Sequence, residues 1–315
     1  MLYRNLGKSG VKVSVIGLGT NRFGSEKVPQ KEVNNIIDMA MDHGLNHLDS
    51  ANIYQDGASE TTLGNALKGR WDKFFLATKF YFPIGQGPND QGASRYHISN
   101  AVEASLKRLQ HDVIDLYYIH RWDAGTPIAE TMRALDDLIR MGKVRYIGAS
   151  QFAAWQLAEA NLLAEFKNWT AFSVLQSEYH MLERSVEKEI SPYCTSHDIG
   201  FIPFFPLAGG FLTGKYKRGQ AAPKGSRGED SEYVQKYFTD KNYDVIEKLE
   251  AWAENREHTL NELAIAWLAA QPGVVSVISG ATKTEHVEMN IQAANWELTQ
   301  ADLNEINDIL NIEEK

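Results

Sequence analysis

The chain has 315 residues, 43% of them hydrophobic and 23% charged, with a formal net charge of −9. That acidic excess argues against nucleic acid as the main partner, because phosphate binding wants Lys and Arg in surplus. The only cysteine, Cys194, excludes an internal disulfide and points to a reducing, cytoplasmic setting, and no run of about 18 apolar residues offers a membrane span.

In chain order, Tyr3–Val13 reads as a β-hairpin around the GKSG turn, and Val13–Thr20 (VSVIGLGT) as a strand. Glu32–His43 is predicted helical, with Val33, Ile36, Ile37 and Ala40 on one face. His47–Ala51 is a strand, Glu60–Leu67 a short helix, Phe74–Phe80 a strand and Ile98–Leu109 a helix. Val113–His120 is a strand, and Ile128–Met141 a helix closed by Gly142. Val144–Ser150 (strand), Ala153–Phe166 (helix), Phe172–Tyr179 (strand), Val186–Ser196 (helix) and Phe201–Pro206 (strand) continue the alternation. A polar, Gly-rich loop spans Gly209–Ser231, and one helical run covers Tyr233–Arg256. Leu260–Ala270 (helix), Val274–Gly280 (strand), Glu285–Ala294 and Ala301–Leu310 (helices) complete the chain.

Strands alternating with helices imply a parallel sheet covered by helices. Eight internal strands in a chain of this length fit a closed (β/α)8 TIM barrel, an α/β fold, better than an open doubly wound sheet. The expectation is a single domain over 1–315, with an N-terminal β-hairpin and extra helices near the carboxyl end. Active sites of such barrels lie at the carboxyl ends of the strands. Ionisable residues there are the ones to weigh.

Four stand out: Asp49 in the second strand, Tyr54 just after it, Lys79 near the end of the third and His120 at the end of the fourth. Singly, each has an ordinary reading: a turn cap, a solvated lysine, a surface tyrosine, a satisfied interior histidine. Together, at the ends of adjacent strands, they make chemical sense. Carbonyl reduction needs a hydride, which a cofactor carries, and a proton for the developing alkoxide. A tyrosine can give that proton, but its ordinary pKa of about 10 is high for the task. A neighbouring ammonium, Lys79, favours the tyrosinate and lowers that pKa. Asp49 keeps the lysine charged, and His120 holds the carbonyl oxygen or relays the proton.

At this point the chain resembles the aldo-keto reductase family. The stretches GLNHLDSANIYQDGASETTLGNAL, ATKF and SLKRLQHDVIDLYYIHRWD resemble the family's segments around its catalytic residues. GKVRYIGASQF, PLAGGFLTGKY and SGATKTEHVEMN resemble its fifth strand, its cofactor-clasping loop and its adenosine-phosphate segment. The resemblance implies Tyr54 as proton donor, tuned by Lys79 and Asp49, with His120 orienting the carbonyl. It implies NADP(H) as cofactor. Ser150, Gln151 and Gln176 would meet the nicotinamide carboxamide, Phe204 would stack on the ring, and Thr20 and Asp49 would lie near the ribose. Leu207, Gly209, Leu212 and Lys215 would follow the pyrophosphate. Gly280, Thr282, Lys283, His286 and Asn290 would surround the adenosine end, with Lys283 and Lys215 able to neutralise a 2′-phosphate.

The chain departs from the family pattern at Gln151, where Asn is usual, at Phe204, where a stacking tyrosine is usual, and at His286 and Met289. Phe23, Tyr81, Phe82 and Trp122 are the expected substrate-lining residues, a mostly aromatic set that suits a small carbonyl compound. No paired-Cys or HExxH pattern suggests a metal, and oligomeric state is unreadable. Three rivals stand beside the NADPH-dependent reductase. One is a cofactor-sensing regulatory subunit of the same fold with little turnover. A Schiff-base aldolase on Lys79 would need a neutral lysine, which Asp49 disfavours. A glycosidase would need a second carboxylate.

Overall fold

Two short strands, β1 (Tyr3–Asn5) and β2 (Lys12–Ser14), pair antiparallel as the expected hairpin. Eight parallel strands then close into a barrel: β3 (Ile16–Gly19), β4 (His47–Asp49), β5 (Phe75–Phe80), β6 (Ile114–Ile119), β7 (Val144–Ser150), β8 (Val174–Glu178), β9 (Gly200–Phe204) and β10 (Val277–Gly280). The computed structural model describes residues 1–311, so the end of the expected 1–315 domain lies outside the described residues.

Helices α1 (Gln30–Asp42), α2 (Ala58–Ala66), α3 (Arg95–Leu109), α4 (Ile128–Arg140), α5 (Ala154–Lys167) and α6 (Ile190–Ser196) follow the first six barrel strands. Helix α1 turns an apolar stripe of Val33, Ile36, Ile37 and Ala40 inward, as the spacing predicts. After β9 come α7 (Arg227–Asp230), α8 (Glu232–Gln235), α9 (Asp240–Glu254) and α10 (Leu260–Ala269). Helices α11 (Thr284–Ala294) and α12 (Gln300–Leu310) follow β10.

The run predicted as one helix over Tyr233–Arg256 is two helices. Thr239 breaks it with extended backbone, and its side chain accepts the Asn242 N–H to cap α9. The predicted loop Gly209–Ser231 also holds structure: a 3-10 turn over Ala208–Thr213 and the short α7. Glycines in that turn take positive φ, which hides its helical character from a periodicity argument.

Two hydrophobic bodies result. The larger lies between strands and helices. The smaller fills the barrel, with Phe75, Ala77, Leu116, Tyr118, Val174, Ile202 and Ile278 packed against Leu6 and Val13 of the hairpin. The hairpin therefore plugs the amino-terminal end of the barrel and leaves the carboxyl end open. Gly148 is required in β7, because a Cβ there would stand 2.6 Å from the Tyr118 ring. Its absence lets Tyr118 lie inside the barrel beside Lys79.

Candidate active site

Side chains alternate along a strand, so in β5 Ala77 and Lys79 face one way and Leu76 and Thr78 the other. Lys79 points into the barrel and is fully buried. Its Nζ donates to Asp49 Oδ1 at 2.5 Å and to the Ser50 carbonyl at 2.9 Å. It lies 5.3 Å from the centre of the Tyr54 ring. Gln176 Nε2 donates to the other Asp49 oxygen at 2.9 Å. The His120 ring stands edge-on to Tyr54, with centroids 6.0 Å apart. The four expected residues thus meet at one mouth.

Behind them, Thr78 uses the outer face of the strand. Its hydroxyl donates to Glu60 Oε1 at 2.6 Å, and Arg108 Nε donates to Glu60 Oε2 at 2.7 Å. This buried bridge ties α2 and α3 to the residue next to Lys79. Sequence reasoning missed it, because Glu60 read only as the start of a helix.

Burial alone would lower the Lys79 pKa, but Asp49 and Tyr54 more than offset it, and the net direction is up. The lysine is an ammonium. For Tyr54, burial is the largest influence and raises the phenol pKa; Lys79 lowers it and Asp49 raises it again. The net direction is upward, a correction to the expectation drawn from Lys79 alone. The ammonium acts as expected, but desolvation of the phenolate outweighs it. His120 is pushed well below its ordinary range by burial, then by the charges of Lys79 and Arg121. It is neutral near pH 7 and keeps one N–H to donate.

From this mouth a cleft of about 770 Å³ runs across the barrel end. Thr20, Asp49, Gln151, Gln176, Phe204, Leu207, Gly209, Lys215, Gly280, Thr282, Lys283, His286 and Asn290 line it. Arg22, Lys215, Arg227 and Lys283 also line it, against the single acid Asp49, which Lys79 already neutralises. In a chain of net charge −9 this is a local surplus of cations. Arg227 belongs to the mixed-charge loop whose sequence allows either a solvated loop or a mobile clasp over cofactor or substrate, and the structure puts it on the cleft wall. Nearby Arg218 pairs with Asp240, Asp244 and Glu247, and Lys217 with Glu250. Among the described residues Arg227 has no acidic partner.

Ser150 is buried at the end of β7, paired in register with Gln176, and its hydroxyl finds no partner among the described residues. A buried orphan hydroxyl beside two amides fits a carboxamide ligand. Gln151 follows at φ 55, the left-handed region in which Asn is better tolerated.

Phe23, Leu212, Tyr81, Phe82 and Trp122 are not among the residues that line the cleft, and the first two lie in the core. Phe23 is fully buried in the large core and does not reach the mouth. The short link from Thr20 to Phe23 turns the ring inward. Leu212 is likewise fully buried among the core side chains, drawn in by the 3-10 turn. Phe23→Ala should cost about 3–5 kcal/mol of stability, as a core cavity does, with little change in ligand affinity. Urea melts and a cofactor titration check this; unchanged stability with impaired binding would return Phe23 to the pocket. Tyr81, Phe82 and Trp122 are half-buried, and Phe82 packs edge-on to His120 at 4.9 Å. Tyr81 has a φ of 144, a strained value for a non-glycine residue. Cys194 is buried, and burial pushes its thiol up to about 12, which leaves it unreactive.

Comparison with known proteins gives concordant matches. The profile of the Aldo/keto reductase family matches residues 15–311. A probable voltage-gated potassium channel subunit beta of Arabidopsis thaliana is 40% identical over 94% of this chain and 92% of its own length. An uncharacterised oxidoreductase of Bacillus subtilis is 36% identical over 98% of this chain and 96% of its own. An aldo-keto reductase of Fusarium vanettenii is 33% identical over 95% and 88%.

Proposed function

We propose a carbonyl-reductase activity from one premise: the chain belongs to the aldo/keto reductase family. On this reading it converts aldehydes or ketones to alcohols with NADP(H). When bound, the nicotinamide supplies the hydride.

The protein's own residues do the rest. Tyr54, kept neutral by burial, hands its proton to the carbonyl oxygen as negative charge builds there. The Lys79 ammonium stabilises the phenolate left behind. Asp49, itself fixed by Gln176, holds that ammonium in place. Neutral His120 donates its ring N–H to the carbonyl oxygen. Tyr81, Phe82 and Trp122 offer an aromatic wall to the rest of the substrate. Ser150, Gln151 and Gln176 would hold the carboxamide, with Phe204 on the ring and Thr20 by the ribose. Leu207, Gly209, Lys215 and Arg227 would follow the pyrophosphate. Gly280, Thr282, Lys283, His286 and Asn290 would hold the adenosine end. Burial is the largest influence lowering the His286 pKa; Lys283 and Lys215 lower it further, and Glu285, 3.9 Å from Lys283, opposes them. The two ammoniums beside it support a phosphate on the ribose there.

One observation carries the reading: a fully buried ammonium bound to a carboxylate on one side and lying against a phenol on the other. The rival is a cofactor-holding subunit with little turnover, favoured by the channel-subunit names of several relatives. A panel of aldehydes, ketones and quinones, assayed with NADPH and NADH in parallel, separates the two. The reductase reading expects sustained turnover at about 1 s⁻¹ or faster with a good substrate. It expects NADPH to bind at least about tenfold tighter than NADH, the scale of one charged hydrogen bond. Consumption that stops after one equivalent of cofactor favours the subunit.

A further inference from the structure

One buried charge on the outer side of the barrel is left over from the chemistry above. Glu60, in the first turn of α2, is fully buried. One of its oxygens accepts the Thr78 hydroxyl at 2.6 Å and the other the Arg108 Nε–H at 2.7 Å. Arg108 comes from α3, where its guanidinium also donates to the Ser105 hydroxyl at 3.4 Å. On neighbouring β6, burial raises the Tyr117 pKa and the Glu60 charge raises it further. A buried ion pair is a weak device for stability, because well-packed apolar side chains in its place serve as well or better. Its position gives it another use.

Each oxygen of Glu60 reaches an element that carries a reacting group. Thr78 directly precedes Lys79 in β5, and successive side chains of a strand point to opposite faces. Holding Thr78 on the outer face therefore fixes the direction in which Lys79 enters the barrel. The Arg108 stem lies under the turn that carries Tyr54: a Cβ on Gly57 would stand 2.8 Å from Arg108 Cδ. That turn does not hold itself. Directly after Tyr54, Gln55 and Asp56 take left-handed backbone at φ 51 and 52, and Gly57 follows at φ 88. Non-glycine residues in that region are strained and persist only where their surroundings impose it. Gln55 Nε2 donates to the Asn21 carbonyl at 2.9 Å, and the Thr61 hydroxyl to the Gly57 carbonyl at 3.1 Å. Arg108, fixed by Glu60, supports the turn from beneath.

We propose that Glu60 is a positioning residue for the proton transfer: through Thr78 and Arg108, its carboxylate sets the Lys79 ammonium and the Tyr54 phenol against each other. Glu60 does not line the cleft, so it acts only through these neighbours. The proposal rests on the roles given above to Tyr54 and Lys79.

The test is Glu60→Gln, which keeps the shape and an acceptor for Thr78 but cannot serve both donors as the carboxylate does. It should lower kcat by about 10–10²-fold, the scale of displacing a reacting group by up to about 1 Å, and leave NADPH affinity as in the wild type. A second readout needs no turnover. The charges that act on Tyr54 are those of Lys79 and Asp49, so Glu60 has no direct hold on its titration. Carbon-13 NMR of ring-labelled Tyr54 should still show ionisation at higher pH in Glu60→Gln, because a phenol drawn away from the ammonium loses part of its acidifying effect. Adding Arg108→Met removes the stranded charge and should restore stability, while rate and titration stay displaced. If Glu60→Gln does not fold, Thr78→Val decides, since it removes one arm alone and should move both readouts in the same direction. An unmoved Tyr54 titration in the folded variants overturns the proposal, whatever their rate. A wild type that reduces no carbonyl overturns the reductase reading, and the titration then decides the positioning role by itself.

Discussion

Tyr54→Phe should lose about 10²–10⁴-fold in kcat while binding NADPH as the wild type does, the scale of one general acid removed. The argument is geometric first. Tyr54 lies over the Lys79 ammonium, edge-on to His120, and lines the cleft. Phenylalanine keeps that packing and takes away only the hydroxyl. Its loss should appear in kcat and kcat/KM together, because the proton moves only in the transition state. Steady-state rates with one reactive aldehyde, beside a cofactor titration, check this. Near-wild-type turnover in the variant would remove Tyr54 from the chemistry.

Lys79→Met should produce the other large effect, and in two quantities at once. Removing one member of a buried ion pair strands the other; among the described residues Asp49 would keep only Gln176 as a side-chain donor. Such a loss costs about 3–5 kcal/mol of stability. The rate should fall by about 10²–10³-fold, as when one preorganised donor to developing charge is removed. The sign for Tyr54 is set by the charges around it. Lys79 is the one that lowers its pKa, while burial and Asp49 raise it. Without Lys79 the phenol becomes a still weaker acid, so any alkaline limb of the rate profile moves to higher pH. The ion pair's own contribution to stability is complete below the ordinary lysine pKa of about 10.4. It is lost as pH rises through the raised value of Lys79. Denaturant melts and pH–rate profiles read both effects; a variant as stable as wild type, with an unmoved profile, would contradict the assignment.

The barrel was legible because strand and helix periods alternate cleanly from Ile16 onward, and because α1 and α4 carry single apolar faces. The cluster of Asp49, Tyr54, Lys79 and His120 was legible for a related reason. An acid, a lysine and a histidine at the ends of three apolar strands are expensive to place there without a use. What escaped were features decided by tertiary balance. Phe23 is as apolar as any pocket residue, and only the course of the Thr20–Phe23 link sends it into the core. Leu212 went the same way, inside a turn built on positive-φ glycines that no periodicity reveals. The direction of the Tyr54 shift depends on whether burial or a neighbouring charge is larger, which composition does not say.

Arg227 was half legible. Asp240, Asp244 and Glu247 recur at helical spacing and form one acidic face that occupies Arg218. Weighing that face against the loop's cations would have left Arg227 as one candidate for the cleft. The break at Thr239 was signalled too, since a threonine before Asp240 is a capping residue. The hydrophobic run on either side masked it.

The central claim is that a neutral phenol stands ready beside a charged lysine. Carbon-13 NMR of ring-labelled Tyr54, titrated from neutral to alkaline pH in wild type and in Lys79→Met, reads it directly. The account predicts a phenol that stays protonated past the ordinary tyrosine value of about 10, and further past it in the variant. A Tyr54 signal already ionised at pH 8, or one that does not respond to Lys79→Met, would contradict it.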